Sequence, residues 1–425
     1  MFSIDEIHAD RDRLDVGIPR PLRFFLYSHD GLGLGHMRRN LAIAEALTTM
    51  APDSAILLAT GASHTAQFTL PENVDYVKLP EIRKVYNDRY ASRRLAISGH
   101  DMSALRSTLL AAAVESFRPD VLLADKHPLG VGGELTAALA ALHAQGGKAA
   151  LGLRDILDER TVVVDEWYNN NFHERVVENY EQILVYGHEA VFNPVEEYSL
   201  PRDIAARMKY CGYVVNRSEQ SFTTDSGLAR LLRPPRTRPL VLATAGGGED
   251  GFTLLQSFIQ ASAGSIWQGV VIAGPMMPSS EQEVLQRMCA EAGVFFEPFV
   301  SRLEAFIGSF DALVCMGGYN TLVEAMAVGI PTLCVPRTVP RIEQSLRAEA
   351  FERLGLLKTI DPAELNADRM RDGIADRLSA FRADLNARMR EVLNFEGAYQ
   401  EASALMSAAT SARLERHGRR IHAAA

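Results

Sequence analysis

"FDALVCMGGYNTLVEAMAVGIPTLCVP", Phe310 to Pro336, reads as strand, glycine turn, helix, Gly-Ile-Pro, strand. Its apolar runs, Ala312–Cys315 and Thr332–Val335, do not alternate with polar residues, which is the pattern of parallel strands buried on both faces. Gly317 and Gly318 precede a helical stretch at Thr321–Val328, and Asn320 and Thr321 stand at its opening turn. Free N–H groups at a helix start favour anions, and these two side chains add donors. Glu324 follows among apolar or small neighbours, "TLVEAMAV". A charge in such a helix is costly unless paired. An ionised carboxylate accepts on two oxygens and so suits both hydroxyls of a ribose. The plainer alternative is an acid favoured by the helix dipole.

The same alternation continues in both directions. Behind this stretch lie strand-like runs at Pro239–Thr244, Val270–Ala273 and Val294–Phe296, with helical stretches at Phe252–Ala261, Glu281–Ala292 and Ile342–Leu354. The first half repeats the pattern. Strands are expected at Arg23–Ser28, Ala55–Ala59, Tyr76–Leu79, Val121–Ala124, Ala149–Leu153 and Ile183–Tyr186, with helices at Arg38–Leu47 and Gly132–His143. A chain of 425 residues exceeds one ordinary core. The expected fold is α/β, two doubly wound parallel-sheet, Rossmann-like domains facing across a cleft. The polar, proline-rich stretch 216–238 is the linker candidate, giving an N-terminal extension 1–20, a domain over 21–215, a second over 239–410 and a tail 411–425.

Composition narrows the function classes. Hydrophobic residues make up 47% and charged residues 23%, which is ordinary for a globular chain. The net charge of −9 argues against nucleic acid as a partner, because a phosphate backbone demands a basic face. The four cysteines form no C-x-x-C pair, so no zinc knuckle or redox motif is indicated, and a cytoplasmic location fits. The charged N-terminal stretch has no secretory pattern, and no apolar run reaches the roughly 18 residues of a spanning helix. Peripheral contact with the inner face of the plasma membrane stays open.

Two glycine turns follow first strands. In "LATAGGGEDG", Gly246, Gly248 and Gly251 satisfy G-x-G-x-x-G, yet the next strand ends "VVIAGP" without the acid a dinucleotide ribose needs. In "SHDGLGLGHMRRN", Gly31, Gly33 and Gly35 have the wrong spacing, and the next strand ends "LLATG", again without an acid. Binding of a nicotinamide dinucleotide is thereby reduced to a minor alternative. Two such turns at matching positions in two domains favour phosphate or sugar contacts, with Gly246, Gly247 and Gly248 on one side and Gly33 and Gly35 on the other.

The Met316–Glu324 segment resembles the donor-nucleotide motif of GT-B glycosyltransferases, both family 1 and family 28, the latter including the bacterial peptidoglycan N-acetylglucosaminyltransferase. The phrases "VLLADKHPLG" and "LGLRDILDE" are similar to a little-characterised bacterial branch of such enzymes. The resemblance implies that Gly317, Gly318, Asn320 and Thr321 face a donor diphosphate and that Glu324 holds the ribose. Met316 stands where family 1 has a phosphate-binding histidine, which shifts phosphate contact onto backbone amides as in family 28. Glu343 and Gln344 resemble the pair placed against the donor sugar. "FFEPFV", with Phe299, resembles the segment that reads the nucleobase.

His36 sits where the family places its catalytic or acceptor-contacting histidine, and an imidazole suits base chemistry near neutral pH. Asp125 ends the strand "VLLAD", at the same sheet edge, where a carboxylate orients the histidine. The plainer alternatives are a helix-start histidine and a capping aspartate; His127 is a second base candidate. Nothing reads as a D-x-D metal site, so no metal and no cofactor are expected beyond the nucleotide-sugar co-substrate, a UDP-sugar first among them. The implied reaction is an inverting hexosyl transfer to a lipid-linked or small-molecule acceptor. The basic stretch "EIRKVYNDRYASRRLAISGH", with Arg83, Lys84 and Arg94, is the candidate for receiving a phosphate-bearing acceptor, against the alternative of a solvated face. A nucleotide-sugar epimerase on the same fold and a non-catalytic nucleotide-sugar-binding protein are the competing readings.

Overall fold

The computed structural model describes residues 20–29, 35–62, 69–86, 89–216, 227–233, 235–300 and 302–424. Fifteen strands are described: β1 (Arg23–Ser28), β2 (Ala55–Thr60), β3 (Val74–Lys78), β4 (Ile82–Tyr86), β5 (Arg89–Ser92), β6 (Val121–Asp125), β7 (Lys148–Arg154), β8 (Gln182–Tyr186), β9 (Met208–Tyr210), β10 (Leu240–Thr244), β11 (Gln268–Ile272), β12 (Phe295–Glu297), β13 (Ala312–Cys315), β14 (Thr332–Cys334) and β15 (Lys358–Thr359). They form a seven-stranded sheet in the order β3-β2-β1-β6-β7-β8-β9, a six-stranded sheet in the order β12-β11-β10-β13-β14-β15, and a β4–β5 hairpin. Both large sheets are wholly parallel.

Helices cover each sheet on both faces, so the central strands are apolar throughout. Phe24, Phe25, Leu26 and Tyr27 of β1 are all fully buried, as are Val241, Leu242 and Ala243 of β10. Burial of each large side chain contributes about 1.5–3 kcal/mol. The strand order reverses between β1 and β6 in the first sheet and between β10 and β13 in the second. Ligands of open α/β sheets collect at such reversals, beyond the carboxyl ends of the strands. This topology puts Gly35 and His36 beside Asp125 in one domain, and the Gly246–Gly248 turn beside Gly317 and Gly318 in the other.

The structure bears on three of the sequence expectations. The expected boundary at 410 falls inside one continuous helix, Gly397–Ala424. That helix leaves the second domain and packs against the Gly35–Met50 helix and strands β6 and β7 of the first. Polar anchors hold it there: Lys148 bonds Glu415 at 2.7 Å, and Arg413 and Arg416 both pair with the buried Asp120. The chain thus crosses between domains twice, with the crossings in contact, since the Tyr213 N–H donates to the Asn394 carbonyl at 2.7 Å. The expected linker 216–238 contains a helical turn, Gly227–Leu231, whose Leu228 joins the apolar core. The first half of the basic stretch is a hairpin, in which Ile82–Tyr86 and Arg89–Ser92 pair antiparallel, anchored where Ile82 meets Met102 and Val131, and its second half leads into the helix that begins at Gly99. Residues 1–19 of the expected extension lie outside the described residues.

Candidate active site

The edge of the first domain is built from ionisable groups. The helix that begins at Gly35 turns the buried His36 toward β6, and His36 Nδ1 lies 2.9 Å from Asp125 Oδ2. Arg39, one turn further along, donates from Nη2 to the same Asp125 oxygen at 2.5 Å. Its guanidinium lies 4.4 Å from the Tyr186 ring and 5.5 Å from that of Tyr319. Burial would raise the Asp125 carboxyl, but Arg39 and His36 outweigh it and hold Asp125 well below the usual carboxylate range. Burial lowers the His36 imidazole below its ordinary value, against the pull of Asp125. His36 is therefore neutral near pH 7. With its Nδ1 proton on Asp125, Nε2 is left as the basic atom.

A second histidine shell surrounds this pair. The His29 ring lies 4.7 Å from His36 and 4.7 Å from His127. Burial, with His36 and His127 alongside, lowers His29 well below its usual range. Lys126, directly after Asp125, has φ of 74°, a left-handed backbone that lysine adopts only under constraint.

The facing edge of the second domain is built from backbone. Gly248 has φ of 94°, and a Cβ there would stand 2.6 Å from the Ala273 carbonyl oxygen. A Cβ on Gly274 would stand 2.5 Å from the Gly246 carbonyl oxygen, so these two turns touch through their main chains and admit only glycine. Next to them Gly318 opens the helix Tyr319–Ala327, with open space over its Cα and unpaired amides in the first turn.

Between the two edges is a cleft of about 700 Å³, lined by Gly35, Gly246–Gly248, Phe299, Gly318, Asn320, Thr321, Glu324, Glu343 and Gln344 among others. That size suits a ligand of nucleotide-sugar dimensions. Most of the expected donor residues therefore converge. Gly317 stands just behind, packed against Cys334 and Gln344. His36 and Asp125 stand behind Gly35, outside that lining. Gly33 lies outside the described residues. Arg83 and Arg94 do not reach the cleft: Arg83 is exposed on the hairpin, and Arg94, also exposed, faces Glu81 at 3.5 Å. Lys84 lies on the same strand as Arg83.

Several cleft residues were not expected from sequence. Arg38 reaches across from the first domain and bonds Glu324 and Glu304, each at 2.7 Å. Burial pushes the Glu324 carboxyl above its usual range, against the pull of Arg38. Arg154, at the end of β7, bonds Glu343 at 3.0 Å, also across the cleft. Burial would raise Glu343, but Arg154, Arg347 and Lys126 outweigh it and hold it at about 2. Asn320 donates to the Gly35 carbonyl at 3.3 Å. The sequence did carry a signal for Arg38 and Arg39. Cations in the first turn of a helix oppose its dipole, so two adjacent ones demand anionic partners elsewhere.

Residues 247–403 match the glycosyltransferase family 28 C-terminal domain. A UDP-N-acetylglucosamine--N-acetylmuramyl-(pentapeptide) pyrophosphoryl-undecaprenol N-acetylglucosamine transferase of Corynebacterium efficiens is 31% identical over 139 residues, which is 33% of this chain and 37% of that protein. The enzyme of the same description from Mycobacterium tuberculosis is 26% identical over 174 residues, or 40% and 42% of the two chains. The matching stretch thus spans well under half the length of these curated relatives. Among solved structures, the glycotransferase of kitacinnamycin superposes with a TM-score of 0.62 at 19% identity, over 92% of this chain and 100% of that one. The glycosyltransferase VinC, in complex with dTDP, superposes with a TM-score of 0.61 at 18% identity, over 92% and 100%. The chain has the GT-B fold.

Proposed function

We propose that this protein is a glycosyltransferase that moves a hexosyl group from a nucleotide-diphosphate sugar to an acceptor hydroxyl, with inversion. The observation that carries this reading is the pairing of the two edges. A buried His36–Asp125 dyad stands directly behind Gly35 on one side of the cleft, and a glycine-built anion cradle lines the other. The match of residues 247–403 to a nucleotide-sugar transferase domain supports the same assignment.

In this reading the donor diphosphate lies on the amides of the Gly246–Gly248 turn and of the Gly318 helix start. These dipoles take up the charge that develops as the sugar leaves, without a metal ion. Glu324 takes the ribose hydroxyls once Arg38 releases it, and Glu343 and Gln344 face the sugar. His36 Nε2 removes the acceptor proton, and Asp125 fixes the tautomer. A UDP-sugar is the leading donor.

The acceptor side extends toward a membrane surface in the same reading. Leu95 and Ile97 are exposed directly after Arg93 and Arg94, and Leu105 and Leu109 are exposed on the outward face of the following helix, Gly99–Phe117. Exposed apolar side chains beside arginines fit a peripheral contact with an anionic bilayer and a lipid-linked acceptor. Among the described residues no helix is long and apolar enough to cross a membrane.

A thermal-shift screen against UDP-, GDP- and dTDP-sugars tests the donor, since a ligand of the native state raises its stability with concentration. Release of free nucleotide only when an acceptor is added is the expected second result. Isomerised sugar nucleotide without an acceptor would instead make the protein an epimerase, and no shift with any donor would remove the transferase reading. Co-sedimentation with phosphatidylglycerol vesicles tests the membrane contact. Leu105→Glu together with Leu109→Glu is expected to leave the protein in the supernatant, and binding that survives both changes would refute that surface.

A further inference from the structure

Three side chains converge on one carboxylate oxygen in the first domain, and the hydrogen inventory does not allow all three contacts to be bonds. Asp125 Oδ2 lies 2.9 Å from His36 Nδ1 and 2.5 Å from Arg39 Nη2, while Nη2 also lies 2.9 Å from Nδ1. Guanidinium nitrogens only donate. If His36 donates its Nδ1 proton to Asp125, the Arg39–His36 contact sets donor against donor and carries no bond. Arg39 then spends its charge on Asp125 and leaves the imidazole next to a cation.

We propose that Arg39 is a positioning residue: it neutralises Asp125, locks the carboxylate against His36, and thereby keeps His36 unprotonated and available as a base further into the acid range. This rests on His36 being the base of the proposed reaction, although the electrostatic part is a property of the free protein. In a simple His–Asp pair, the carboxylate stabilises the imidazolium. Here the triad of Arg39, Asp125 and neutral His36 already balances to zero, so a proton on Nε2 adds an uncompensated charge in a buried setting.

The other groups facing His36 do not cancel this effect. His29 packs against its ring from the end of β1, Lys126 and His127 follow Asp125 on β6, and Arg154 acts on it from the end of β7. Of these, Arg154 and Lys126 add positive charge. The Arg39 guanidinium also lies against the Tyr186 and Tyr319 rings. The Gly397–Ala424 helix brings one acid behind Arg39, Glu401, fully buried. Burial raises the Glu401 carboxyl well above its usual range, which works against a negative charge that would oppose Arg39 there.

The test is a titration of isotope-labelled histidine by NMR in the full-length protein without substrate, with the His36 resonance assigned by its loss in His36→Gln. Arg39→Met and Arg39→Gln both remove the cation, and each is expected to raise the His36 midpoint by about one pH unit or more. Arg39→Lys keeps a cation and is expected to stay close to the native midpoint. In the transfer assay, the acid limb of kcat/KM should move to higher pH in the same order. An unmoved midpoint in whichever neutral variant folds would overturn the proposal, even if transfer is observed. A raised midpoint without any transfer would leave this role of Arg39 standing and remove the assigned reaction.

Discussion

The two sheet edges share a topology and differ in chemistry. At the β1/β6 reversal the first domain places His29, His36, Arg39 and Asp125, all buried, with the half-buried Lys126 and His127, and each can carry or exchange charge. At the β10/β13 reversal the second domain places Gly246, Gly247, Gly248, Gly317 and Gly318, with Glu249 and Asp250 as the ionisable side chains of the first turn. The doubly wound sheet supplies only a crevice, and the loops decide what it does. In the proposed reading one edge handles protons and the other handles a diphosphate through fixed dipoles, a division a two-substrate displacement requires.

The strongest way to break that comparison is His36→Ala. The expected result is a fall in kcat of about 10²–10⁴-fold with donor affinity by calorimetry nearly unchanged. Equal loss of donor binding would mean that the first edge also holds the donor. Gly248→Ala attacks the opposite edge and should show the reverse signature. Its Cβ would meet the Ala273 carbonyl in a left-handed backbone, a strain of about 1–3 kcal/mol, so donor affinity should fall by up to about 100-fold. Acceptor affinity should hardly change. Glu324→Ala sharpens the same side. About a tenfold weaker donor is expected, a modest figure because the native carboxylate must first give up Arg38. Unchanged donor affinity would remove Glu324 from the ribose.

Much of this division was legible in the sequence, for identifiable reasons. Parallel strands buried on both faces leave unbroken apolar runs, so the strands flanking the cleft were found within one or two residues. Glycine turns at strand ends mark where a backbone must approach something, which singled out Gly246–Gly248 and Gly317–Gly318. His36 and Asp125 could be placed together because both follow from strand ends at one sheet edge. Pairings set by tertiary packing were not legible. Nothing local in Arg38 names Glu304 or Glu324, which lie far along the chain in the other domain. The helix at 397–424 likewise reads as a helix, but only the crossing at Tyr213 and Asn394 shows that it docks on the first domain. The facing of the basic stretch was not legible either, because charge density alone does not say which way a hairpin faces.

The smallest expected effect separates protons that react from protons that only hold structure. Glu401 belongs to the ionisable edge by position, yet it is fully buried on the C-terminal helix, beside Tyr186 and Arg39. Its carboxyl is raised well above the usual range by burial, so above the unfolded carboxyl's range the native state holds a proton there that the unfolded chain has lost. The sign follows from linkage. Where the native state binds more protons, stability is greatest below the unfolded carboxyl's range and falls as pH rises toward the folded value. The fall is at most about 1.4 kcal/mol per pH unit. Glu401→Gln is nearly the same shape and needs no proton, so it should match the native protein near pH 4 and exceed its stability increasingly toward pH 8, measured by denaturant unfolding. The acid limb of transfer and the donor affinity should not move. If Glu401→Gln instead shifted the His36 midpoint, Glu401 would be charged in the native state, and the ionisable edge would extend to the C-terminal helix.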